Sequence, residues 1–170
     1  MRGNLHLSIE LNRGIGGLVF GALPSEAESY LGPPDTSDRP PIPTHASLSW
    51  QYCNLGLGVF FHTGEGITEA WRPGDPLRAI IFTASGRKLS LWGEPIIGLR
   101  EGAVIGLLRA HGQRHFRELE KSGYPQEMQA DVKILRFEDV NLDLHFRNGL
   151  LQNCQWGVPL KASPFSYCFP

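Results

Sequence analysis

The sequence predicts an α+β protein built as two tandem copies of one unit, a short helical segment followed by an antiparallel β-meander, with the helices on one face of the sheet. Three observations predict it: a segment that recurs, apolar alternation of period two in both copies, and a Gly-Ala pair opening a helix upstream of each. Residues 50 to 71, "WQYCNLGLGVFFHTGEGITEAW", set without gaps over residues 135 to 156, "LRFEDVNLDLHFRNGLLQNCQW", match at Leu57 and Leu142, Phe61 and Phe146, Gly64 and Gly149, and Trp71 and Trp156. Leu55, Leu57, Val59 and Phe61 recur with period two, as do Val140, Leu142, Leu144 and Phe146, and each series reads as a strand with one buried face. The glycines of "HTGEG" and "RNGLL" supply the positive φ of a tight hairpin, so each copy continues strand, turn, strand, with Trp71 and Trp156 at equivalent places.

Taken in order, the first copy opens with a strand around "LHLSIEL". Pro24 and Ser25 then start a helix near 24 to 31, Glu26 and Glu28 favour its first turns, and Gly32 with Pro33 and Pro34 ends it. The segment "GPPDTSDRPPIPTH" carries too much proline to form an element and is expected as loop. Strands follow near 47 to 53 and 55 to 62, with a return strand near 66 to 72 and a further one at "LRAIIFTA". The second copy starts at "KLSLWG". Gly102 and Ala103 open a helix near 101 to 111, Gly112 breaks it, and a second helix is expected near 114 to 121 before Gly123 and Pro125. Strands near 132 to 138, 140 to 147 and 150 to 156 complete it. The organisation expected is residues 1–86, residues 87–160 and a tail, 161–170, in one compact unit. Leu57, Phe61, Leu142 and Phe146 are expected to face the helices as core.

With 16 Lys plus Arg against 17 Asp plus Glu, the chain has no net field to draw a nucleic-acid backbone or an anionic bilayer. The amino terminus lacks the apolar run of a secretory signal, and no stretch approaches the roughly 18 to 20 apolar residues of a membrane span. Nucleic acid and membrane are therefore not expected as partners, and a cytoplasmic protein is. Cys53, Cys154 and Cys168 are odd in number and widely spaced, which fits neither a disulfide framework nor a zinc knuckle. Gly14-x-Gly16 lacks the strand, helix and acidic residue of a dinucleotide fingerprint. No cofactor is expected.

The Gly-Ala helix start with "YLGPP" at 30 to 34 and the hairpins "LGLGVFFHTGEGITEAW" and "VNLDLHFRNGLLQNCQW" resemble the BLIP-like architecture, named after the beta-lactamase inhibitor protein, and its shorter single-copy relatives of the SmpA/OmlA type. The resemblance covers the order of elements over most of the chain; the long helical segment of the second copy and the cysteine usage depart from it. It implies a protein that binds other proteins through the sheet face turned away from its helices.

Opposite the core positions, the first copy shows Gly56, Gly58, Phe60 and His62, and the second Asn141, Asp143, His145 and Arg147. An aromatic anchor beside a charged patch has the composition of a protein-binding surface. The expected binding set is Phe60, His62, Arg136, Asp143, His145 and Arg147, and the expected function is non-catalytic binding of another protein, as an immunity-type, inhibitor or adaptor protein would do. The alternative is a small hydrolase or metal-dependent enzyme. Asp143 and Arg147 flank His145 on one strand face and could polarise it as a general base, although no nucleophile motif accompanies it. His111 and His115, spaced i, i+4, could share a metal with Glu118 or Glu120 if the helix ran through them, but Gly112 stands between them.

Overall fold

Apolar residues at every second position build one face of the larger of two sheets, and its register follows from which side chains must leave water. The computed structural model of the chain describes residues 7–39, 47–62, 77–121 and 130–158. The strands are β1 (Leu7–Glu10), β2 (Gly14–Ile15), β3 (Leu18–Val19), β4 (Thr36–Asp38), β5 (Ser47–Tyr52), β6 (Leu57–His62) and β7 (Arg78–Ala84). They continue with β8 (Leu89–Leu91), β9 (Glu94–Pro95), β10 (Arg117–Glu118), β11 (Val132–Phe137), β12 (Leu142–Arg147) and β13 (Leu150–Gly157). Two helices, α1 (Pro24–Leu31) and α2 (Glu101–Ala110), accompany them. The fold is mixed α+β with mostly antiparallel sheets, and no helix among the described residues is long and apolar enough to cross a membrane.

Eight strands pair in the order β10-β11-β12-β13-β7-β6-β5-β4, every neighbour antiparallel. One face carries Leu48, Trp50 and Tyr52 of β5, Leu57, Val59 and Phe61 of β6, Phe82 and Ala84 of β7, Leu135 and Phe137 of β11, Leu142, Leu144 and Phe146 of β12, and Trp156 of β13, all buried. The expected core residues Leu57, Phe61, Leu142 and Phe146 are among them. A smaller sheet, β3-β2-β1-β8-β9, lies against this face; in it β1 and β8 run parallel, Leu7 beside Leu89 and Ile9 beside Leu91. Residues from both halves of the chain thus share a sheet.

Local chemistry fixes the helices. The Glu26 carboxylate of α1 accepts the Leu23 N–H at 2.7 Å, Pro24 occupies the first turn where no N–H is needed, and Gly32 at φ 82° donates its N–H to the Glu28 carbonyl. Ala27 and Leu31 bury the inner face. In α2, Val104 and Leu108 do the same, Glu101 and Arg109 suit the two ends of the helix dipole, and Lys133 of β11 reaches Glu101 at 2.7 Å. The chain entering α2 docks on β13: Leu151 donates to the Leu99 carbonyl and Gly98 to that of Leu151.

Three expectations are corrected or fall outside what is described. The proline-rich segment holds a strand, β4, because Thr36 to Asp38 find open backbone partners along β5. The second helix expected at 114 to 121 is absent. Gly112, at φ 86°, ends the helical path, Phe116 packs its ring 5.1 Å from Phe137, and β10 pairs with β11 instead. A short Gly-bounded segment has too little helical propensity to compete with that pairing. The return strand expected at 66 to 72, with Gly64 and Trp71, lies outside the described residues; the strand paired after β6 is β7. Ala84 therefore faces Leu57 in the way that Trp156 faces Leu142.

Candidate functional site: the outer face of the large sheet

The face of the large sheet opposite the core is built by the same alternation, and the registers align it residue by residue. Thr36, Gln51, Gly58, Thr83, Gln155, Asp143, Arg136 and Arg117, one from each strand, stand side by side from edge to edge. Apart from Gly58, every one is polar. Adjacent strands are spaced by roughly 4.8 Å, so the row is about 34 Å long. Its β4 to β7 half is uncharged, whereas its β10 to β13 half holds an acid and two arginines. Gly58 has no room for a side chain, since a Cβ there would come within 2.4 Å of the Thr83 hydroxyl and 3.0 Å of the Gln51 amide. Gln51 and Thr83 close over it.

Six residues were expected to act here, and the registers place them on this face. Asp143 and Arg136, directly opposite on β12 and β11, form a bidentate pair: Arg136 Nε donates to Oδ1 at 2.6 Å and Nη2 to Oδ2 at 2.5 Å. That hydrogen bond raises the pKa of Arg136 further, against the opposing effect of burial. Asp143 is only 7% exposed, so it is not the free surface carboxylate that its place in "DLHFR" suggests. Both its oxygens accept hydrogen bonds from Arg136. Arg147 is exposed at the end of β12, and His62 is half-buried at the end of β6, opposite Arg78.

Phe60 and His145 stand on opposite sides of the central row. Phe60, 36% exposed, shares its own row with Ser49, Ile81 and Gly157; His145 lies between Ile134 and Asn153. Three strand spacings and about four residues of rise separate the two, roughly 20 Å. The residues therefore do not converge on a point as a catalytic centre would; they are spread across a face.

His145 is half-buried, and desolvation is the main cause of a pKa lowered from the ordinary histidine value; the charge of Asp143 acts the other way and that of Arg136 adds to the lowering. A histidine whose folded pKa lies below its unfolded one is protonated first in the unfolded chain. Its contribution to stability is present above about pH 6.5 and lost as the pH falls towards the folded pKa. The thermal midpoint should thus drop between pH 7.5 and pH 5, and His145→Gln should make that drop smaller. Equal slopes for the two proteins would show that His145 is as well solvated folded as unfolded.

The residues of the metal reading are not on one helix face. His111 follows the last residue of α2, stacks its ring on Trp92 with centroids 3.9 Å apart and planes within 6°, and places Nδ1 3.3 Å from the Leu107 carbonyl. His115 lies beyond the break, 3.8 Å from Asp139, while Glu118 sits in β10 opposite Leu135. Among the described residues, no group of three or more His, Cys, Asp or Glu side chains could hold a metal ion. Cys154 is fully buried and its thiol is pushed up to about 12 by desolvation, so it is a packing residue. Cys53 is exposed, and Cys168 lies outside the described residues.

Sequence reasoning missed five members of the row: Thr36, Gln51, Arg117, and Thr83 and Gln155, the two that join the halves. Alternation in "LRAIIFTA" and "LLQNCQW" marks Thr83 and Gln155 as outward positions, and could have found those two; nothing local marks Arg117, which the expected helix concealed. Trp92, 37% exposed at φ 52° on the β8–β9 turn, meets His111 only through the fold. No protein-family model, no curated protein and no solved structure matches the chain.

Proposed function

We propose that this chain is a non-catalytic protein-binding module, of the inhibitor, adaptor or immunity type, that holds another protein against the outer face of its eight-stranded sheet. The observation that carries this reading is the row of residues across that face, polar on every strand except β6, flanked by the exposed ring of Phe60. Among the described residues, the helices and the small sheet lie on the opposite face. An aromatic anchor, amide and hydroxyl contacts, and an oriented Arg136–Asp143 pair supply the mixture of burial and directional contact that protein recognition uses.

We further read the chain as two copies of one unit. In support, the strand order reads as one series meeting its own reverse at the seam of β13 and β7: β4 matches β10, β5 matches β11, β6 matches β12 and β7 matches β13. Pairing extends the match to residues. Gln51 opposes Gly58 as Arg136 opposes Asp143, and the local axis passes through the Thr83 and Gln155 pair. The resemblance to the BLIP-like architecture, which implies binding through this same face, points the same way. On this reading the two copies kept one core and diverged on the outer face, where one carries the charged pair and the other Gln51 folded over Gly58.

The alternative, a small hydrolase or metal-dependent enzyme using His145 or His111 and His115, has weaker support, since no nucleophile motif accompanies the first in the sequence and the second pair sits astride a helix end. The test is to recover a partner by pull-down from the host and titrate it calorimetrically with Phe60→Ala, Arg147→Glu and His145→Ala. Phe60→Ala and Arg147→Glu, from different halves, should each weaken the same complex by about 1 kcal/mol or more. If neither changes the affinity, while His145→Ala abolishes turnover of a small molecule, the enzyme reading replaces this one.

A further inference from the structure

We draw no further inference here: the strongest candidate, the solvent-facing stripe of Gly102, Gly106 and Ala110 on α2 with the stack of Trp92 on His111 at its C-terminal end, is an exposed small-residue face, and nothing in the structure shows what covers it.

Discussion

Trp156→Ala should lower the unfolding free energy by about 3 to 5 kcal/mol, the range for removing a large buried aromatic, and leave much of the protein unfolded near body temperature. The residue is fully buried in β13, its ring centroid 5.6 Å from that of Phe82, which in turn lies 5.4 Å from Phe20. Its indole N–H donates to the Gly14 carbonyl at 2.8 Å, so one side chain joins the last strand of the large sheet to β2 of the small one. Truncation opens a cavity between the sheets and strands a buried carbonyl. Trp156→Phe separates the two effects: the ring largely remains, the hydrogen bond goes, and the loss should be about 1 to 2 kcal/mol. Chemical denaturation of the three proteins measures both. If Trp156→Ala unfolded within 0.5 kcal/mol of the native protein, the small sheet would not be packed on β13 as described.

The second large effect is at Asp143, where the structure reverses what the strand pattern suggests. An exposed strand position tolerates substitution within about 0.5 kcal/mol. Asp143 is buried and makes two charge-assisted hydrogen bonds, so Asp143→Ala should cost about 2 kcal/mol, moderated because the Arg136 side chain is 31% exposed and can turn to water. Asp143→Ala with Arg136→Met removes the stranded cation along with its partner, and the double variant should recover most of the loss. Equal losses for the single and double variants would mean that the pair is not coupled. Because Asp143 supports the fold, Arg147 and Phe60 are the better places to test binding.

The elements legible in the sequence are those specified locally. Leu142, Leu144 and Phe146 alternate cleanly enough to give β12 its register without knowledge of its neighbours, and Pro24 with Gly32 bracket α1 by backbone chemistry alone. What depends on distant pairing was not legible. β4 and β10 are short polar segments that are strands only because β5 and β11 offer them an edge, and the parallel contact of β1 with β8 brings together residues far apart in the chain. On the proposed two-copy reading, Gln51 corresponds to Arg136, Leu57 to Leu142 and Phe61 to Phe146. Asn148 and Gly149 alone turn β12 into β13, whereas residues 63 to 77 separate β6 from β7 in the chain, and Trp71, which the ungapped comparison sets against Trp156, lies outside the described residues. Of the site, the outward positions of β6 and β12 were readable from period two. The burial of Asp143 was not, because it depends on Arg136 being folded opposite it through the tight turn at Glu138 to Val140 and Asn141, the last at φ 43°.

The claim that the outer face of the large sheet is one binding surface spanning both halves is tested most directly by mapping the contact. Backbone amide shifts of the labelled protein, followed while the recovered partner is added, should change at Gln51, Phe60 and Thr83 on one side of the seam and at Gln155, His145 and Arg147 on the other, with α1 and α2 unmoved. Shifts confined to α2 and the turn carrying Trp92, with the sheet face unchanged, would contradict it.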